Sequence, residues 1–243
     1  PGTGYVEWIA EALAALDLDA PFEINGLYFL RPLVVADDSP REMILHLQAQ
    51  DSGYDVTLHS ALASGGYAQN CEAQVRLLPE ATAPTPLDLA AIRTRCPEHQ
   101  CATEGHVLHS PQEAHLNFGP RWRVLQEIAL GAEEGLARLC LPAAAAEDDC
   151  LLHPGLMDLA TGWAISLVPG YDGSALWVPL GYRSLRIHAP LTSEIHSHMR
   201  LCESVGSDSA SFDITLTDPS GTVLVEITGF QMTRLAQGFD ASG

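Results

Sequence analysis

The sequence predicts an α+β fold in which one unit, a helix followed by an antiparallel meander, occurs twice. Three observations predict it. Residues 1–16 carry apolar side chains at Tyr5, Trp8, Ile9, Ala12, Leu13 and Leu16, the spacing of one helical face. Four strand-like runs then follow, punctuated by turn residues. From Pro154 the order returns: an apolar helix headed by Pro-Gly, a long strand ending in Pro-Leu, and three further strands. The helix-heading proline and the strand-ending proline lie 31 residues apart in the first half (Pro1 to Pro32) and 36 in the second (Pro154 to Pro190).

In the first helix Pro1 suits the opening turn, where no amide partner is needed, and Leu16–Pro21 ends the element. The strands are expected at Phe22–Val35, Glu42–Gln50, Asp55–Ala63 and Gln69–Leu78. Pro40, Asp51-Ser52-Gly53 and Ser64-Gly65-Gly66 supply the turns. Residues 81–116 read as a proline-rich connector with a short helix near Leu87–Arg95 and exposed histidines at 99, 106, 109 and 115. Strands resume at Arg123–Leu130 and Gly135–Leu141, followed by an acidic loop at 145–149. The second helix is expected over Pro154–Val168. Strands at Ala175–Ile187, Glu194–Glu203, Ser211–Thr217 and Val223–Leu235 complete the unit, with Asp218–Gly221 as the last turn. Tyr5, Trp8 and Trp163 are expected to face inward. The organisation is therefore 1–80, 81–116, 117–237 and a tail at 238–243.

Composition bounds the function. With 243 residues, 47% of them hydrophobic, the chain has ample material for a core. A formal net charge of −19 argues against a nucleic-acid partner, which needs a basic face. No run of 18 apolar residues suggests a membrane span, and Glu7 and Glu11 are foreign to a signal peptide. All 12 basic residues are Arg, which removes lysine Schiff-base and P-loop chemistry. The six cysteines are irregularly spaced. Cys96, His99, Cys101 and His106 do not match a zinc finger or ribbon, so free thiols in a cytoplasmic protein and no metal are expected. No GxGxxG, GxSxG or HExxH motif occurs.

The segment with most chemistry is His153-Pro154-Gly155-Leu156-Met157-Asp158. A carboxylate there sits on a proline-started helix beside Leu159, Ala160 and Trp163. Burial would hold it protonated, ready to act as a general acid. The local alternative is a carboxylate that caps or solvates a helix end.

Four landmarks in order resemble the dehydratase domains of modular polyketide synthases, relatives of fatty acid synthase dehydratases. Pro1-Gly2 resembles the end of that family's HxxxGxxxxP motif, and Asn117-Phe118-Gly119-Pro120 its YGP-like element. His153–Asp158 resembles its HPxxxD motif, and Val178-Pro179-Leu180 with Leu185-Arg186-Ile187 its long second-half strand. The resemblance implies a double hotdog: two long helices, each wrapped by an antiparallel sheet. It implies elimination of water from a 3-hydroxyacyl thioester held on the phosphopantetheine of an acyl carrier protein, with no cofactor bound by the domain itself. Asp158 would then be the acid and the Gly2 amide an oxyanion donor. Phe118, Gly119, Pro120, Val178 and Pro179 would line the substrate site, with His153 and Pro154 as structural members of the motif.

Two positions depart from the family pattern. The base histidine would lie nine residues before Pro1, outside this sequence, so a domain cut from a longer chain is expected. The Gln or His that commonly follows the acid by four residues is Gly162 here. That departure admits a double-bond isomerase or pyran-forming cyclase on the same fold, and a non-catalytic domain of the synthase is the third reading. Expected partners are the carrier protein, docking near Arg183 or Arg186, and neighbouring synthase domains, with homodimerisation as a family expectation.

Overall fold

The structure is a computed structural model describing residues 2–18, 20–35, 38–78, 82–143, 145, 149–205 and 208–235. The readings made for Pro1, for residues 79–81 where the first unit meets the connector, for 146–148 of the acidic loop and for the 238–243 tail lie outside those residues.

Helix α1 (Thr3–Ala14) is followed by strands β1 (Phe22–Phe29), β2 (Met43–Gln50), β3 (Gly53–Ala61) and β4 (Tyr67–Leu77). A connector carries α2 (Leu89–Arg95) and β5 (Glu98–Cys101), then β6 (Leu125–Leu130) and β7 (Glu134–Cys140). Helix α3 (Pro154–Gly162) precedes β8 (Trp177–Ile187), β9 (Glu194–Val205), β10 (Ser209–Thr217) and β11 (Val223–Arg234). The strands form one antiparallel sheet in the order β2-β3-β4-β1-β8-β11-β10-β9-β7-β6-β5. Its two halves repeat one topology, since β1-β4-β3-β2 and β8-β11-β10-β9 are the same path after each helix. The halves join where β1 pairs with β8, from Phe22 opposite Ile187 to Tyr28 opposite Gly181. This is the α+β double hotdog that the sequence resembled.

The wrapped sheet exists to bury two helices. Tyr5, Val6, Ile9, Ala10 and Leu13 of α1 and Leu156, Met157, Leu159 and Ala160 of α3 belong to one continuous core. Trp163 is buried among them, and its indole N–H donates to Ser197 Oγ at 3.2 Å. That hydroxyl in turn donates to the Ala160 carbonyl at 2.7 Å, so the ring's polar atom is satisfied within the core. At the seam of the halves, buried Glu23 accepts from Ser184 and pairs with Arg76 and Arg186. Burial alone would raise that carboxyl. The Ser184 hydroxyl and the two guanidinium groups hold it below its usual range.

Several elements differ from the sequence expectation. The first long strand stops at Phe29, because the Leu30 and Arg31 amides both turn to the Asn70 carbonyl and Pro32 has no amide to pair. The second helix ends at Gly162, after which Ile165–Leu167 form a separate 3-10 turn. Trp8 is 41% exposed rather than inward. The buried stripe of α1 runs through Tyr5, Val6 and Ile9, and Trp8 lies at its margin beside Tyr5. The connector is also more structured than its composition suggested: β5 pairs with β6, and α2 seals a second small core of Ile92, Cys96, Ala129 and Leu136.

Candidate active site

Helix α3 begins with its own capping chemistry. His153 is the N-cap, Pro154 occupies the first turn, and the Gly155 N–H donates to His153 Nδ1 at 3.1 Å. Gly155 is required by close approach: a Cβ there would lie 2.6 Å from the Arg121 carbonyl oxygen. The 3-10 turn Pro120–Trp122, capped by Gly119, is thereby seated directly on α3. From the other half, Glu7 of α1 reaches the loop before His153. Its carboxylate accepts from Leu151 N–H at 2.8 Å and Leu152 N–H at 2.5 Å. Both halves thus fix the start of α3.

Asp158 follows one turn later. Burial raises its carboxyl pKa. The Trp122 indole N–H donates to its Oδ2 at 2.9 Å, which favours the charged form but does not cancel the burial effect. A cavity of about 70 Å³ opens on Asp158, with Gly2, Phe118, Pro179, Tyr182 and Phe230 in its wall. Tyr182 is buried, stacked on Phe230 at 4.8 Å, and burial pushes its phenol up, so it remains neutral. Across from Asp158 the N-terminus of α1 enters at Gly2 and Thr3, and Thr3 Oγ1 donates to the Pro154 carbonyl at 3.4 Å. At Gly2 a side chain would run into the Phe29 ring. The first amides of a helix lack intrahelical partners and carry the positive end of its dipole. An acid and an anion-stabilising helix end therefore face one small volume.

The structure brings together four of the expected site residues, Gly2, Phe118, Asp158 and Pro179, and Gly162 lines the same cavity. Gly2 and Pro179 also border an adjoining apolar groove of about 720 Å³, where Val178 lies with Trp8, Phe29 and Leu180. Gly119 and Pro120 are outside the cavity wall and form the turn that delivers Trp122. His153 and Pro154 stand behind, at the helix start. No histidine lines this cavity among the described residues. His99, His106, His109 and His115 are exposed. His198 pairs with Glu134, and buried His196 lies on the same strand opposite Arg138 of β7. Arg186 is committed to Glu23. All six cysteines are free, and no metal-ligating cluster occurs among the described residues.

The sequence reading missed Trp122, Tyr182, Gln112 and Ser110. Gln112 is buried, and its amide exchanges hydrogen bonds with the Trp177 backbone, donating at 3.1 Å and accepting at 3.3 Å. The capping box Ser110-Pro-Gln-Glu113 was the available signal for that turn. Nothing local marks Trp122 as a partner of a residue 36 positions later.

Two helices enclosed by wrapped antiparallel strands, with the Asp158 carboxyl opening on a cavity at their junction, define a double-hotdog domain. The chain belongs to the polyketide synthase dehydratase family. Residues 84–241 match the family described as "Polyketide synthase dehydratase N-terminal domain" and residues 1–61 match "Polyketide synthase dehydratase domain". Among curated relatives, polyketide synthase PksM of Bacillus subtilis is 26% identical over 97% of this chain, which spans 6% of that protein. The phthioceranic/hydroxyphthioceranic acid synthase of Mycobacterium tuberculosis is 26% identical over 96% of the chain and 11% of its own length. A trans-AT polyketide synthase dehydratase domain from Brevibacillus brevis superposes with a TM-score of 0.84 at 21% identity, covering 97% of this chain and 85% of that one. A trans-acyltransferase polyketide synthase enoyl-isomerase gives 0.76 at 14% identity, over 96% and 89%. These structural likenesses establish the shared fold.

Proposed function

We propose that this domain eliminates water from a 3-hydroxyacyl thioester to give a 2-enoyl product, with Asp158 as the general acid. The observation that carries the reading is a carboxyl whose pKa burial raises, opening on a cavity that a helix N-terminus also enters. Hydroxide is a poor leaving group, so the departing C3 oxygen must receive a proton as its bond to carbon breaks. Asp158 supplies that proton. The electron pair left by removal of the C2 proton forms the double bond. Negative charge developing on the thioester oxygen is met by the amides at Gly2 and Thr3. The base is assigned to a histidine nine residues before Pro1, since no histidine of the described residues lines the cavity.

The substrate is assigned to the phosphopantetheine arm of an acyl carrier protein, and the domain itself needs no bound cofactor. Neighbouring synthase domains are the other partners, in keeping with the small share of each curated relative that the chain spans. A cytoplasmic setting is assigned together with the synthase; among the described residues no helix is long and apolar enough to cross a membrane.

The test is mass spectrometry of a 3-hydroxyacyl carrier protein incubated with the synthase module that contains the domain. Loss of one water is expected, and Asp158→Asn should slow it about 10²–10⁴-fold. A 2-enoyl substrate converted to an isomer of unchanged mass, with no dehydration, would replace this reading by that of an isomerase. Full activity in Asp158→Asn would remove the acid assignment.

A further inference from the structure

We propose that Trp122 is the positioning residue of the site acid, its indole N–H fixing the Asp158 carboxyl through Oδ2. The inference rests on the acid role of Asp158, and three features of the structure carry it. First, the indole N–H donates to this carboxyl at 2.9 Å, crossing from the 3-10 turn to α3. Second, the turn is seated for that contact. Gly119 and Pro120 start it, and Gly155 is stripped of a side chain where the Arg121 carbonyl meets α3. Third, the helix itself offers no alternative. The residue one turn after Asp158 on the same face is Gly162, and a Cβ built there meets nothing within 4 Å.

The chemistry of the donor gives the contact a defined consequence. An indole nitrogen donates and never accepts. It therefore occupies Oδ2 whether the acid is charged or neutral, and the neutral acid carries its proton on Oδ1. The same N–H stabilises the carboxylate and so restrains the rise in proton affinity that burial produces. Trp122 thus fixes which oxygen gives up the proton and limits how tightly that proton is held. Gly162 becomes tolerable because the orienting donor arrives from another element.

The experiment reads the pair without turnover, so it stands apart from the dehydratase assignment. In the 243-residue chain labelled at the indole nitrogens, the Trp122 N–H resonance is identified by its loss in Trp122→Phe. It should titrate with the same midpoint as the Asp158 side-chain carbon and lose that pH dependence in Asp158→Asn. In Trp122→Phe the Asp158 midpoint should move to higher pH. Adding Gly162→Gln, which fills the open space beside the acid, should bring it back toward the wild-type value. In the intact synthase module the phenylalanine variant should lose about ten- to hundredfold in kcat with little change in KM. A Trp122 resonance indifferent to the state of Asp158, or an Asp158 midpoint unmoved in Trp122→Phe, overturns the proposal. If Trp122→Phe does not fold, the Trp122 resonance is assigned by sequential NMR connectivities and the Asp158→Asn comparison alone decides, because it leaves the indole in place.

Discussion

Glu7→Ala probes the link between the two halves. The Glu7 carboxylate sits on α1 yet satisfies two backbone amides 144 and 145 residues away, at Leu151 and Leu152. Removing it leaves both donors without their acceptor. Leu152 is fully buried, so its N–H incurs the whole penalty of an unmade bond, about 1–3 kcal/mol. Leu151 is half-buried, and water can take over part of its bond, leaving about 1 kcal/mol or less. Against this stands a relief: burial and the neighbouring Glu11 both raise the Glu7 pKa, so the ionised form is held at a cost. The net expectation is a loss of about 1–3 kcal/mol, a sizeable fraction of a domain's usual reserve. Urea unfolding followed by tryptophan fluorescence measures it, and amide hydrogen exchange locates it. Leu151 and Leu152 should lose protection while β8–β11 amides keep theirs. Glu7→Gln retains one acceptor and should fall between wild type and Glu7→Ala. Unchanged stability together with unchanged exchange at Leu151 and Leu152 would refute the idea that α1 anchors the start of α3.

Two further predictions concern the acid and its support. Gly155→Ala forces a Cβ to within 2.6 Å of the Arg121 carbonyl and 3.1 Å of the His153 ring. It should cost about 1–3 kcal/mol in urea unfolding and displace Trp122 from Asp158; an unperturbed Trp122 indole resonance would contradict that coupling. Asp158 gives a stability prediction with a definite sign. Its folded carboxyl binds a proton more tightly than the unfolded one, so stability falls as pH rises from the unfolded value, about 4, through the folded one. Asp158→Asn lacks that loss and keeps an acceptor for Trp122. Its stability relative to wild type should improve with rising pH across this window, and a constant difference from pH 4 to pH 8 would show that the carboxyl is not held protonated.

Most of the architecture was legible in the sequence because it follows from local periodicity. The α1 stripe, the turns at Asp51–Gly53 and Asp218–Gly221 and the Pro154-Gly155 head of α3 are patterns that a few neighbouring residues enforce. Strand ends were less legible. Phe29 ends β1 because the next two amides, of Leu30 and Arg31, turn to the distant Asn70 carbonyl. β5 escaped notice because four exposed residues, Glu98–Cys101, gain strand geometry only from β6.

The site divides in the same way. The sequence by itself determined that Asp158 stands on a proline-started helix and that Gly2 heads its counterpart, whereas the cap that His153 provides is a finding of the structure. The first two are matters of spacing and residue type. Only the tertiary structure decided that Gly2, Phe118, Asp158 and Pro179 share one cavity, and that burial raises the Asp158 pKa. It alone supplied Trp122 as the acid's donor and Glu7 as the tie between the halves. The physical reason is common to all of them. Desolvation and long-range hydrogen bonds depend on which surfaces meet when the two hotdogs close, and a linear pattern of residues carries no record of that meeting.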